Sequence, residues 1–274
     1  MRNVHIFTDS LTPLPQGLIK QLNIEIAPVY VVFSNAQIYK HTVDLCTEDI
    51  FRYVLEKGRL PGIAAPTTED LIQLFKPSVS SNTDVLFISM SAEISPTYKN
   101  ALAAARHFPQ GRVVVVDSAR FSTGTAMMIV QAASLAGRKR ILSNLEGKLH
   151  SYRLNLQEEL FQGKLQAVIS AGNIYGLPDR ILSPLKLRKQ QDIRIGNLSR
   201  VLKAFKLKGE LGIERGMAII SHTMAREQAE YLKKQLEEQY GFQQVILTPN
   251  INGLLCRSAP QSVGMSYWLH SGLT

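Results

Sequence analysis

Short apolar runs that end abruptly in small polar residues are the feature that most limits how this chain can fold. Val4–Thr8, Asp84–Met90 and Arg112–Val116 are rich in β-branched residues and have the length of buried strands. Helical patterns follow at Thr97–Arg106 and Thr125–Leu135. Strands that alternate with helices predict an open α/β sheet, whose ligands bind beyond the carboxyl ends of its strands.

The polar residues at these strand ends are therefore candidates for lining a site. Hydroxyl and carboxylate groups follow each of the three runs. Two of them, Asp9 and Asp117, have an alternative role, because an aspartate can organise a strand-to-helix turn through its own hydrogen bonds to backbone amides. The candidate residues are Thr8, Asp9, Ser10, Ser91, Asp117 and Ser118.

A helix start follows the second run. Ser95 can cap it, and Pro96 at the first helical position loses no hydrogen bond. Thr97 then lies in the first turn, where free backbone amides and the helix dipole favour an anion. Capping alone is the alternative role for these residues.

The second half of the chain repeats the pattern more loosely. Leu165–Ser170, Met217–Ser221 and Gln244–Thr248 are strand candidates. One face of a helix, closed by Gly241, is formed by Ala225, Ala229, Leu232, Leu236 and Tyr240. We expect a boundary near residues 150–165, and we divide the chain into two α/β domains, 1–160 and 161–274.

The net charge of +9 is concentrated in one segment of this 274-residue chain. Residues 138–208 hold 15 Lys and Arg against 5 Asp and Glu, and the remainder is nearly neutral. Binding of nucleic acid through this segment is one hypothesis. A solvated basic surface and a docking face for an acidic partner are the alternatives, and the segment lacks the regularly spaced aromatic residues that stack on single strands.

Several function classes have no sequence support. Cys46 and Cys256 are far apart and lack metal-site spacing, so neither a disulfide framework, a metal site nor a cofactor is expected. The first apolar run is too short for a signal peptide and no 18-residue apolar stretch occurs, which predicts a cytoplasmic protein. Common catalytic motifs are missing, although an enzyme that uses Asp9 or Asp117 as acid or base on an anionic substrate remains a hypothesis.

The order of motifs resembles that of the DegV family, bacterial proteins that bind a long-chain fatty acid. The family opens on T-D-S and a later L-P, continues with S-S-x-x-S-G-T-Y and then D-S before a glycine, and carries H-x-G-P-G-x-x-G near its C-terminus. The corresponding residues here are Thr8-Asp9-Ser10 with Leu14-Pro15, Ser91–Tyr98, Asp117-Ser118 with Gly124, and Arg257–Gly264.

This resemblance implies an α/β fold of two domains, the first a mainly parallel sheet with flanking helices and the second an α/β domain with a mixed sheet. It also implies that a long-chain fatty acid lies between the domains and that its carboxyl group is presented to a partner fatty-acid kinase. The protein itself would be a binding subunit without catalysis. By resemblance, Ser95, Thr97, Arg257 and Ser258 would hold the carboxylate. We expect the partner to dock on Arg188, Lys189 and Arg215.

The chain departs from the family pattern where hydroxyl groups would face the ligand. The L-P-x-T-S-Q-P segment corresponds to Leu60–Pro66, so that Ile63 and Ala64 stand in place of the two hydroxyl residues. The family histidine is replaced by Arg257. The guanidinium group of an arginine is permanently charged and can bind a carboxylate through two bonds, which compensates for the lost hydroxyls.

Overall fold

The computed structural model describes residues 2–33, 37–136, 142–162, 193–196, 212–252 and 262–270. In chain order its elements are β1 (Val4–Asp9), α1 (Gln16–Gln21), β2 (Ile24–Ala27), β3 (Tyr30–Val32), β4 (Ile38–Lys40), α2 (Thr47–Lys57), β5 (Gly62–Ala64), α3 (Thr68–Ser80), β6 (Asp84–Ser89), α4 (Thr97–Ala105), β7 (Val113–Asp117), α5 (Thr123–Ala136), α6 (Leu142–Leu154), β8 (Leu156–Gln162), β9 (Ile193–Gly196), β10 (Ile213–Thr223), α7 (Arg226–Glu238), β11 (Gln244–Pro249) and β12 (Ser262–Leu269).

The predicted α/β fold class is confirmed by the sheets. A parallel four-stranded sheet has the order β2-β1-β6-β7. A mixed five-stranded sheet has the order β11-β10-β12-β8-β9, in which β12 runs antiparallel to both of its neighbours. The strand expected at Leu165–Ser170 lies outside the described residues. The domain division at residue 160 stays a prediction, and β8 at that place pairs within the mixed sheet.

A small antiparallel sheet, of order β4-β3-β5, was not predicted. Each of its strands is only three residues long. This sheet and α2 contribute buried side chains, among them Val31, Ile50 and Ile63, to a core described below.

Helix α5 lies between the parallel sheet and the mixed sheet. It packs on β1 and β6 of the first and on β10 and β12 of the second. Nearly every face of this helix is apolar, and nine of its residues are buried. Such a helix belongs in an interior rather than at a surface, so α5 is the element that both sheets share.

A buried glutamate from the mixed sheet closes the N-terminus of α5. Glu158 on β8 is 2% exposed, and its carboxylate accepts the backbone N–H groups of Phe121, Ser122 and Gly124 at 2.8, 2.8 and 2.9 Å. A helix N-terminus leaves amides without partners inside the helix and favours a negative charge. One side chain of the second sheet thus satisfies the start of the shared helix.

Arg120 fills the space beside this helix start. The side chain is 1% exposed, and its Nη2 donates to the carbonyl oxygens of Arg153 and Leu156 at 2.7 and 2.9 Å. A Cβ at Gly124 would lie 2.7 Å from Cγ of Arg120. The glycine therefore leaves the room that the arginine occupies.

Candidate functional site

The polar strand-end residues meet at the carboxyl edge of the parallel sheet. Those that end β1 and those that follow β6 and β7 are buried, except Asp117, which is half-buried. Most of them bond to protein groups: Thr8 Oγ1 donates to the Ile88 carbonyl at 2.8 Å, and Ser118 Oγ lies 2.9 Å from Thr125 Oγ1. Ser91 Oγ accepts from the Glu93 amide at 3.3 Å.

Both aspartates organise the turns in which they lie. Asp9 Oδ1 accepts from the Leu11 amide at 3.0 Å. Asp117 Oδ1 accepts from the Ala119 amide at 2.7 Å and from the Ala92 amide at 3.2 Å. These are the turn bonds expected of aspartates that follow strands.

A compact polar group, which we name the head-group cluster, consists of Asp9, Ser95 and Thr97. Ser95 Oγ accepts from the Thr97 amide at 3.2 Å and donates to Thr97 Oγ1 at 3.0 Å, so the expected capping bond is present. The helix itself begins at Thr97, one residue later than expected, with Pro96 preceding it in a helical conformation (φ −65°, ψ −18°). All three cluster residues are buried.

The electrostatics of the head-group cluster centre on Asp9. Burial raises its pKa to about 6, and the Leu11 amide and the Thr97 side chain partly oppose that rise because they favour the charged form. The second carboxylate oxygen, Oδ2, has no hydrogen-bond partner among the described residues. A buried acceptor without a partner is costly and is uncommon in folded proteins.

Apolar side chains adjoin the head-group cluster and form what we name the interface core. Leu11 and Ile94, next to the cluster in sequence, belong to it, as do Leu160 on β8 and Ile251 after β11. It therefore joins the edge of the parallel sheet to the mixed sheet. Its buried members are Leu11, Val29, Val31, Ile50, Val54, Leu60, Ile63, Met90, Ile94, Phe121, Leu160 and Ile251.

Strand β5 carries the two positions where the family has hydroxyl groups. Ile63 is buried in the interface core and Ala64 is half-buried. The chain just beyond β5 is tied to α4, since Asn100 Nδ2 donates to the Pro66 carbonyl at 2.8 Å. At these positions the side chains present apolar surface in place of hydrogen-bond donors.

The interface core approaches the surface at a groove of about 820 Å³ between α2 and α7. Phe51 and Met224 line this groove and also pack against the interface core. The exposed side chain of Leu55 lies at its rim. Charged side chains, among them Glu48, Arg226 and Glu230, also line the groove, so its apolar part is the strip that adjoins the interface core.

A histidine that the sequence did not single out lies behind Ser10. His41 Nδ1 is 3.1 Å from Ser10 Oγ, and Nε2 is 3.1 Å from Thr47 Oγ1. Burial lowers the pKa of His41 to about 4, so the ring is neutral near pH 7. Ser10, His41 and Thr47 line a separate cleft of about 430 Å³. No local motif marks His41, because its partners come from other parts of the chain.

Of the remaining predicted site residues, the structure describes Arg215, and it does not lie at the head-group cluster. Arg215 is exposed near the start of β10, whereas the opposite end of that strand leads to Met224 at the interface core. Arg257, Ser258, Arg188 and Lys189 lie outside the described residues. Their assignments stay predictions.

The described parts of the chain hold neither a metal-binding cluster nor a membrane-spanning helix. In those parts, no group of three or more His, Cys, Asp or Glu side chains is arranged to hold a metal ion. The described helices also include none with the length and apolar character needed to cross a membrane.

Comparison with protein families and curated sequences gives one consistent result. A family model described as "Uncharacterised protein, DegV family" matches residues 3–176. A DegV domain-containing protein of Caldanaerobacter subterraneus is 29% identical over 136 residues, which span 50% of this chain and 48% of that relative. One from Clostridium perfringens is 20% identical over 264 residues, 90% of this chain and 91% of the relative. The first match therefore covers about half the relative's length.

Solved structures share the fold over nearly the whole chain. A fatty-acid-binding DegV family protein from Thermus thermophilus superposes with a TM-score of 0.79 at 22% identity, covering 97% of this chain and 99% of that one. DegV from Bacillus subtilis, described as a fatty acid binding protein, has a TM-score of 0.79 at 17% identity, with coverage of 98% and 100%. A stearic-acid-binding protein from Eubacterium ventriosum has a TM-score of 0.73 at 16% identity, covering 98% of both chains.

Proposed function

The chain belongs to the DegV family, and from that membership we propose that it binds a long-chain fatty acid between its parallel sheet and its mixed sheet. The observation that carries the proposal is the contiguity of a buried polar cluster with an apolar core. Asp9 and Ser95 of the head-group cluster adjoin Leu11 and Ile94 of the interface core. An amphiphile with one polar end matches that arrangement.

The acyl tail supplies most of the binding free energy in this proposal. Burial of each methylene contributes about 0.8 kcal/mol, so a tail of some fourteen methylenes contributes roughly 10 kcal/mol before the costs of association. The interface core and the groove at Phe51 and Met224 provide apolar surface for it. The described relatives that bind fatty acids, including the stearic-acid-binding protein, support the same ligand class.

Mass spectrometry of the purified protein tests this proposal. A denatured extract should contain close to one long-chain fatty acid per chain, and protein stripped of lipid should take up palmitate or oleate. Protein that is free of lipid as purified and that also fails to take up either acid would contradict it.

Arg257→Ala is expected to weaken fatty-acid retention about tenfold or more. A hydrogen bond to a charged group contributes about 1.5–3 kcal/mol, and the arginine replaces the family histidine at the carboxylate. Competition with a fluorescent fatty acid measures the change in Kd, and Arg106→Ala, which removes an exposed arginine at the end of α4, serves as control. Equal retention by Arg257→Ala and wild type would reject the assignment.

We also propose that the bound carboxyl group is presented to a partner fatty-acid kinase, which docks on the basic segment at 138–208. The net charge of that segment, +10, suits an acidic partner surface. Phosphorylation would transfer a phosphoryl group from ATP to the carboxylate oxygen and leave ADP and an acyl phosphate. The docking residues we assign are Arg188 and Lys189, together with Arg215.

Reversing two charges in this segment tests the docking. Arg188→Glu with Lys189→Glu should leave fatty-acid binding unchanged and should reduce acyl-phosphate formation by a purified bacterial fatty-acid kinase at least tenfold. Lys20→Glu with Lys76→Glu, on α1 and α3, reverses as many exposed charges elsewhere and should reduce neither fatty-acid binding nor acyl-phosphate formation. Loss of both lipid and phosphorylation, or of neither, in the Arg188 and Lys189 variant would contradict the docking assignment.

A further inference from the structure

The head-group cluster has an imbalance of hydrogen-bond donors and acceptors. Ser95 uses its hydroxyl hydrogen on Thr97 Oγ1, which leaves the hydroxyl hydrogen of Thr97 as the cluster's own remaining donor. Asp9 Oδ2 is a fully buried acceptor without a hydrogen-bond partner among the described residues. A ligand carboxylate would bring two further acceptor oxygens to the same place.

At the start of α4, Asp9 and a ligand carboxylate would compete for the same hydroxyl donor, that of Thr97. Thr97 is the first residue of this nine-residue helix, and its side chain is close enough to Asp9 to favour the charged form of that carboxyl group. Asp9 is thus itself an anion placed near a helix N-terminus. Two ionised carboxylates could not share one hydroxyl donor in a buried site without strong repulsion.

Among the described residues, the elements packed around Asp9 bring little charge to offset that repulsion, and Arg257, the proposed partner of the ligand carboxylate, would set one positive charge against two carboxylates. β2 places Ala27 opposite Asp9, and β6 brings Ser89 to the same level, since Phe7 pairs with Phe87. The influences that shift the pKa of Asp9 are burial, the Leu11 amide and the Thr97 side chain, none of which is a charged side chain.

The nearest titratable groups also lack the charge to compensate. His41, which lies behind Ser10, is neutral near pH 7 because of burial. Asp117 ends β7, two strands away from β1, and can only add negative charge. On α4, burial raises the pKa of Tyr98, so its hydroxyl stays protonated, and Lys99 is exposed.

We propose that Asp9 binds the fatty acid in its protonated form, so that its Oδ2–H donates to the ligand carboxylate and each binding event takes up one proton from solvent. The proton balance is simple: two carboxylates and one proton become a carboxylic acid hydrogen-bonded to a carboxylate, with no other bond made or broken. Asp9 would therefore favour a ligand with a carboxylate over one whose polar end has fewer hydrogen-bond acceptors. This inference rests on the proposed function.

The affinity for a fatty acid should therefore fall as the pH rises. Asp9 is ionised in the free protein above about pH 6, and the complex holds the extra proton. Above that pH the Kd for a fatty acid should rise about tenfold for each pH unit, because one proton is bound in the complex and none in the free protein. Below it Asp9 is already protonated, and this dependence disappears.

Calorimetry of the lipid-free protein with dodecanoate tests the proton directly. Titration at pH 7.5 in phosphate and in Tris, whose ionisation heats differ, gives the number of protons taken up, and we expect about one for wild type. Asp9→Asn should bind with no proton uptake and with a Kd that is flat from pH 6.5 to 8.5. Glu25→Gln, which alters an exposed carboxyl group on the neighbouring strand β2, should retain the uptake of wild type.

Different results would contradict the role of Asp9 and the proposed function. Wild-type protein that binds dodecanoate without proton uptake, or an Asp9→Asn variant with undiminished uptake, would overturn the role of Asp9 alone. Absence of binding to dodecanoate and to palmitate would overturn both. Dodecanol provides a second measurement on wild type should Asp9→Asn fail to fold: binding of this neutral ligand should take up no proton, and equal uptake with the alcohol and the acid would contradict the inference.

Discussion

Glu158→Ala is expected to lower the melting temperature by roughly 6–20 °C, the largest destabilisation that we expect of a single substitution in this protein. The change removes a carboxylate that accepts three backbone N–H groups and leaves those groups buried without partners. Breaking such a buried charged contact costs about 3–5 kcal/mol, and each kcal/mol shifts the melting temperature by about 2–4 °C in a protein of this size class.

The neighbouring glutamate is the natural control. Glu159 is equally buried, at 2% exposure, but among the described residues its carboxylate accepts one hydrogen bond, from the Tyr267 hydroxyl at 2.8 Å. Glu159→Ala should therefore cost less than half as much, measured by the same thermal unfolding followed by circular dichroism. If Glu158→Ala melted at the same temperature as wild type, or at a higher temperature than Glu159→Ala, the start of α5 would not depend on the Glu158 carboxylate.

Gly124→Ala is expected to reduce the free energy of unfolding by about 2–3 kcal/mol, although alanine is the better helix former. The new methyl carbon would lie 2.7, 2.8 and 2.9 Å from Cγ, Cδ and Cβ of Arg120. These atoms are the buried stem of a side chain whose tip is held by the carbonyls of Arg153 and Leu156. The arginine cannot move aside without losing those bonds.

Urea unfolding measures this loss against a matched glycine. Gly147 lies within α6, and a Cβ there would meet nothing within 4 Å. Gly147→Ala should therefore raise the free energy of unfolding, by about 0.5–1 kcal/mol. If both substitutions raised it, the close packing of Arg120 against α5 would be disproved.

Three of the four strands of the parallel sheet could be predicted to within one or two residues because burial on both faces produces unbroken apolar runs, whereas the edge strand β2 was not predicted. Val4–Asp9 and Asp84–Ser89 are examples. Parallel geometry also sufficed to gather Asp9, Ser91 and Asp117 at one edge. The sheet of β3, β4 and β5 was missed because strands of three residues are too short to show alternation.

The contacts that hold the site together could not be predicted from local pattern. Glu158 lies in a strand that also holds Gln157, Glu159 and Gln162, and nothing near it in sequence shows that its partners begin at residue 121. His41 is likewise joined to Ser10 across 31 residues. Ser95 was predictable, since a helix cap bonds to its own neighbours. Local bonds leave a local pattern, whereas long-range bonds do not.

The members of the interface core are synthesised at widely separated times. Most of its members, from Leu11 to Phe121, leave the ribosome well before Leu160 and Ile251 can cover them. At a translation rate of about 5–20 residues per second, the growing chain waits on the order of ten seconds between residues 121 and 251. During that interval the nascent chain displays an apolar face that only the last part of translation covers.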